Sequence, residues 1–154
     1  MPLLEEAITV ACIYHMGQLD KAGQPYILHP LAVMLDPSLT TDKERTIAVL
    51  HDVLEDTRDR IAVHKAAEND LYKLFRNNKC PELEYYLDLL THNSNVRYLD
   101  YIREIKTDPT ATKIKIADIR HNTSPGRLNH LPPNIQQRLL NKYKKALDIL
   151  LAEA

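Results

Sequence analysis

Apolar residues in this 154-residue chain recur every three or four positions, and no stretch of useful length alternates. Leu3, Leu4, Ala7, Ile8, Ala11 and Cys12 set the pattern, which predicts an amphipathic helix over 3–16. Only three glycines interrupt the chain, while Leu, Ala, Lys and Glu are plentiful, a mix that favours helix over sheet. Gly17 to Gln24 is polar and bounded by glycines, hence a loop. Pro25 suits the first turn of a helix running to Leu35, with His29-Pro30 inside it. Asp36-Pro37-Ser38 ends that helix. Thr41 and Glu44 have the spacing of a capping box and open a helix that runs into His51-Asp52. Further helices are expected over 61–77, from Glu82 to Thr91, after an Asn93-Ser94-Asn95 cap, from Asp108-Pro109 to Asn122, and from Pro132-Pro133 to the end. The expected architecture is all-α: one domain, residues 1–154, a bundle of about seven or eight helices.

Charge and length limit what such a domain can do. The chain has 20 Lys and Arg against 21 Asp and Glu, so no global basic field exists to hold long nucleic acid. A small anion held by local lysines fits that balance. No apolar run approaches the ~18 residues of a membrane span, and the N-terminus lacks the charged and apolar regions of a signal peptide. A cytoplasmic setting and no membrane partner are therefore expected. Cys12 and Cys80 lack metal-knuckle spacing. Cys12, on an apolar helix face, reads as a buried thiol.

Chemistry gathers at three places. His51-Asp52-Val53-Leu54-Glu55-Asp56-Thr57 packs one imidazole and three carboxylates directly after the apolar run Ile47-Ala48-Val49-Leu50. If helical, it pairs His51 with Glu55 and Asp52 with Asp56 on common faces. His29 precedes Pro30. Asp118 lies on a helix that is otherwise apolar on one side, with Asn122 one turn on. A carboxylate facing a core is costly unless a cation meets it. His29, His51, Asp52 and Asp118 form a mixed nitrogen–oxygen set suited to Mn, Fe, Co or Zn. Four such ligands leave open positions on an octahedral ion, as a metal-dependent hydrolase requires.

These segments resemble the HD superfamily of metal-dependent phosphohydrolases. More narrowly, they are similar to the hydrolase domain of RelA/SpoT-type alarmone enzymes and to the free-standing small alarmone hydrolases. The likeness rests on His15-Met16-Gly17-Gln18 with Gly23-Gln24-Pro25-Tyr26-Ile27-Leu28-His29-Pro30, on Leu50 to Thr57, and on Lys115-Ile116-Ala117-Asp118 through His121-Asn122. It spans about residues 5 to 125, in the family's order. With no synthetase segment following, the chain resembles the hydrolase-only members. The resemblance implies that His29, His51, Asp52 and Asp118 hold the metal, usually Mn(II), and that Glu55 and Asp56 are the acid–base pair. It places Asn122 near the ribose and the attacking water, and Lys21 at the substrate. It implies removal of pyrophosphate from the 3′ position of (p)ppGpp-like nucleotides, in the manner of a stringent-response alarmone hydrolase.

One departure bears on substrate choice. The family usually has Arg-Lys after the Gly17-Gln18 segment; here stand Asp20 and Lys21. Asp20 cannot stack on a base as a guanidinium does, and a bare carboxylate there would repel an anion. The same site therefore also suits an adenine alarmone, a nucleoside monophosphate or NADPH, and a silent nucleotide-binding module is the alternative of a different class. Oligomeric state, including a homo-oligomer, is left open. His64, His92 and His130 read as surface or loop residues. His15 reads as a helix-end histidine bonded to backbone, and His121 as a support for its neighbours. Arg127, Lys142, Lys144 and Lys145 offer phosphate contacts, although a charged terminal helix is usually a solvated face. Of the tyrosines at 85, 86, 98, 101 and 143, most should be core.

Overall fold

Prolines and capping side chains set where the helices begin. The computed structural model describes residues 2–153. Among them are ten helical segments: α1 Leu3–His15, α2 Leu28–Met34, α3 Asp42–Leu50, α4 Val53–Thr57, α5 Ile61–Asn77, α6 Leu83–Leu90, α7 Tyr98–Lys106, α8 Pro109–Asn122, α9 Pro125–Leu128 and α10 Pro133–Leu150. The described residues contain no strand, only an isolated bridge between Leu19 and Pro25. The class is all-α, as expected. The count exceeds the expected seven or eight because α4 and α9 are separate short pieces.

Both strong start signals act as anticipated. Thr41 Oγ1 accepts the Glu44 N–H at 3.1 Å, and the Glu44 carboxylate returns a bond to the Thr41 N–H, closing the capping box. Asp108 accepts the Ala111 N–H at 2.9 Å, and Pro109 occupies the first turn, where no N–H is needed. Two expectations fail locally. Pro25 does not open α2. It pairs with Leu19 in the bridge, and α2 begins later, which leaves Pro30 in the first turn and costs no backbone bond. Asn93 does not cap α7: its side chain accepts the Asn95 N–H, and Arg97 is the N-cap residue. The helix opened at Thr41 runs to Leu50 and into His51-Asp52 as expected; both keep αR backbone, and a second segment starts at Val53, so the dyad lies in a joint.

The core explains how that joint becomes buried. Thr46, Ile47, Ala48, Val49 and Leu50 are all buried, so the second half of α3 is enclosed on every side. α3 packs against α1, α2, α6 and α8. α8 in turn meets α2, α6, α7, α9 and α10, and its stripe Ala111, Ile114 and Ala117 faces inward. Asp118 continues the stripe and is buried. α5, over 61–77, buries Ala67, Leu71, Leu74 and Phe75. Cys12 is exposed, contrary to expectation, because α1 turns Ala11 and Tyr14 inward instead.

The loop between α1 and α2 is compact. Gly17 and Gly23 both have φ of 81°, a conformation that side-chain-bearing residues rarely adopt. Asp20 Oδ1 accepts N–H groups from Ala22 and Gln24, each at 2.9 Å. Asp20 is thus a loop organiser. Replacing Asp108 by Ala should remove the cap of α8 and cost about 1 kcal/mol, read as a lower urea midpoint at constant m-value.

Candidate metal centre

Three distant segments meet where α2, the α3–α4 joint and α8 converge. His29, His51, Asp52 and Asp118 each bring one ligand-type atom into a group whose members all lie within 4.8 Å of one another. His29 Nε2 is 2.8 Å from Asp118 Oδ1 and 3.5 Å from Asp52 Oδ2. His51 Nε2 is 3.1 Å from Asp52 Oδ2 and 3.3 Å from Asp118 Oδ1. Both imidazoles and Asp118 are buried.

The hydrogen bonds behind these atoms decide which face of each ring is free. His51 Nδ1 donates to the Ala48 carbonyl at 2.5 Å, so the Nε2 lone pair points at the carboxylates. That Nε2 is buried and has no hydrogen-bond partner. A lone pair facing two carboxylates is repulsive until a proton or metal ion comes between them. Burial alone would lower the pKa of His51, but Asp52 and Asp118 more than reverse this and hold it well above the ordinary value. A divalent cation would satisfy the same demand and displace that proton. The donor set and the orphaned Nε2 therefore fit a transition ion.

Neighbours fix the other members of the group. His29 Nδ1 lies 2.7 Å from His121 Nδ1, with the rings stacked. Burial, with help from His29 and Arg127, pulls His121 down to about 4. His121 is therefore neutral and accepts from His29, leaving His29 Nε2 free for the centre. Asp118 is held from two sides. Lys115 Nζ meets Oδ2 at 2.7 Å, and Asn122 Nδ2 donates to Oδ1 at 3.1 Å. Burial pushes Asp118 up, but Lys115 and the imidazoles hold it well below the usual carboxylate range. Burial likewise opposes the charge on Lys115, and Asp118 overcomes it, holding the ammonium well above its ordinary value. Tyr26 Oη donates to Asp52 Oδ2 at 2.6 Å.

Glu55 and Asp56 stand beside this group in different settings. Glu55 Oε1 accepts the His92 N–H at 2.7 Å, and Arg58 donates to the His92 carbonyl, so one peptide group is gripped from both ends. Asp56 Oδ2 accepts from Gln18 Nε2 at 3.0 Å, and Gln18 Oε1 takes a bond from His15 at 2.9 Å. Burial, then the Asp52 charge, pushes Asp56 up to about 7. His15 thus bonds to a side chain rather than to backbone, and it is not in the ligand group.

A cavity of about 380 Å³ adjoins the centre. Lys21, Glu55, Asp52, Asp118 and Asn122 line it. So do residues that sequence reading discounted. His92 stacks on Tyr101 with centroids 4.6 Å apart, and Lys142 faces the space from α10. Lys144 instead pairs with Asp148. Residues 58–80 contribute nothing to this wall. Arg127 Nη1 reaches Asp20 Oδ2 at 3.4 Å, so the carboxylate at position 20 does not face the cavity as a bare charge. Of the supporting residues that were missed, Lys115 had a readable signal: it sits three residues before Asp118, one turn away on the same helix.

Asp118→Ala should lose binding of divalent transition ions, measured by metal analysis after reconstitution and dialysis. Asp56 has a folded value of about 7, above the ordinary carboxylate range, so its ionisation costs the folded state. That cost is full above roughly pH 7 and fades as pH falls toward roughly 4. In chelator-treated protein, Asp56→Asn should therefore melt at a higher temperature than wild type at roughly pH 8, with the gap closing toward roughly pH 4.

No family model matches the chain. Curated proteins do. A guanosine-3′,5′-bis(diphosphate) 3′-pyrophosphohydrolase of Borreliella burgdorferi is 30% identical over 138 residues, covering 87% of this chain and 20% of that protein. The bifunctional (p)ppGpp synthase/hydrolase SpoT of Escherichia coli K12 is 31% identical over 147 residues, 88% of this chain and 19% of its own length. A probable GTP pyrophosphokinase of Mycobacterium leprae is 29% identical over 155 residues, 97% of this chain and 18% of its own. The chain spans about one fifth of the length of the curated relatives it matches. Over most of its length, the chain is a relative of one segment of the RelA/SpoT-type (p)ppGpp proteins.

Proposed function

We propose that the chain, residues 1–154, is an HD-type phosphohydrolase domain that removes pyrophosphate from the 3′ position of (p)ppGpp-like nucleotides, in a cytoplasmic setting. The observation that carries this reading is the buried ligand group His29, His51, Asp52 and Asp118 opening beside Glu55 and Asp56 into one cavity. Relatives named as 3′-pyrophosphohydrolases support the reaction class.

In this reading the four ligands hold a divalent transition ion, for which we propose Mn(II). When bound, such an ion supplies Lewis acidity to phosphoryl oxygens and eases deprotonation of water. Tyr26, Lys115, Asn122 and His121 keep the ligands in place, as their hydrogen bonds indicate. Glu55 and Asp56 handle protons. Asp56, pushed up to about 7, can take or give one near neutral pH. The water oxygen bonds to the phosphorus attached to O3′, and the P–O3′ bond breaks. The carboxylate pair accepts the water's proton and returns one to O3′. A 3′-hydroxyl and pyrophosphate result. Asn122 and Lys21, on the cavity wall, are proposed to touch the substrate.

The test is a Mn(II)-supplemented screen of guanosine and adenosine 3′-pyrophosphates, NADPH and nucleoside monophosphates. Cleavage of the 3′-pyrophosphates, with Glu55→Gln lowering turnover ~10²-fold or more while metal content holds, is the expected result. Cleavage of none would favour a silent binding module.

A further inference from the structure

The cavity has more positive charge than the cleavage chemistry uses. Four cations line it: Lys21, Lys115, Arg127 and Lys142. Lys115 is taken up by Asp118 and Arg127 by Asp20. Lys21 and Lys142 enter no ion pair and no hydrogen bond among the described residues, although both face the cavity. Lys142 is aimed by aromatic rings, with its Nζ 4.3 Å from the Tyr98 centroid and 5.4 Å from that of Tyr143. Burial, then the charges of Lys115 and Lys21, draws its pKa below the ordinary lysine value, and the more distant pull of Glu55 and Asp118 does not reverse this.

An independent observation lies on the same wall. The Tyr98 hydroxyl is buried and has no hydrogen-bond partner. Burial pushes its pKa to about 12, so it remains an O–H donor. A buried donor without an acceptor costs free energy that an incoming oxyanion would recover. Two unpaired ammonium groups and an unanswered hydroxyl together ask for an anion bearing several acceptor oxygens.

We propose that Lys21, Lys142 and the Tyr98 hydroxyl form a second anion subsite, which takes a phosphate group of the substrate other than the one cleaved. The assignment rests on the hydrolase reading for its substrate, and it deepens that reading. The preferred ligand has phosphates at two positions, one at the ligand group and one at this subsite, which a nucleoside monophosphate cannot provide.

Two measurements test it. In the first, inorganic pyrophosphate is titrated calorimetrically into metal-free protein. Wild type should bind; Lys142→Ala should bind about tenfold more weakly, the scale of one charge-assisted hydrogen bond; Lys142→Arg should retain most of the affinity, and Tyr98→Phe should lose part of it. No binding by wild type, or equal binding by Lys142→Ala, overturns the subsite. In the second, kcat/KM is compared for guanosine 3′,5′-bis(diphosphate) and guanosine 3′-diphosphate with Mn(II). The preference for the doubly phosphorylated nucleotide should fall about tenfold or more in Lys142→Ala, and an unaltered preference overturns the proposal. Should wild type cleave neither nucleotide, the hydrolase reading fails, and the pyrophosphate titration still decides the subsite.

Discussion

Two carboxylates and two imidazoles share a volume from which water is largely excluded. Asp52 and Asp118 repel each other, and both press on His51 Nε2, which has no hydrogen-bond partner. Such a cluster is tolerable only with positive charge inside it or close by. Lys115 supplies some, locked onto the outer oxygen of Asp118. The rest falls to a proton on His51 or to a cation. The surrounding packing serves this arrangement: α2, the α3–α4 joint and α8 must all close on one point, and the apolar faces of α3 and α8 make them do so.

Environment divides four nearby carboxyl groups into different kinds. Asp52 and Asp118 are held charged by imidazole and ammonium neighbours in spite of burial. Asp56 is bonded by the Gln18 amide, with His15 3.8 Å away; burial and then the Asp52 charge make it keep its proton until near neutrality. Glu55 is tied to a backbone N–H in the loop between α6 and α7. Divergent settings for chemically alike groups are what acid–base chemistry at a metal centre needs.

Much of this was legible in the sequence where local physics decides. Thr41 with Glu44, and Asp108 with Pro109, mark helix starts because cap and proline effects act within one turn. Asp118 could be picked out because a carboxylate on an apolar stripe is conspicuous. His29, His51 and Asp52 followed from residue type and flanking segments. The change of segment after Leu50 was hidden, because the apolar run into it has helical character and His51 and Asp52 keep αR backbone. The far wall of the cavity was hidden too. His92, Tyr98 and Lys142 come from a loop and from two helices, α7 and α10, whose docking no local pattern encodes. Asp20 showed the limit of reading one position alone. Its partner, Arg127, lies more than a hundred residues on, and its first task is to hold its own loop together.

The joint at His51-Asp52 has a geometric consequence. On an ideal helix, neighbouring side chains fan out by about 100° around the axis, so adjacent residues start from diverging directions. His51 and Asp52 keep right-handed helical backbone where α3 passes to α4, and the two consecutive side chains still reach one point with His29 and Asp118. The dyad thus sits where two helical segments meet, at the end of one and the cap of the next. What brings the two to one place is the reach of an imidazole and a carboxylate, toward His29 and Asp118 on α2 and α8.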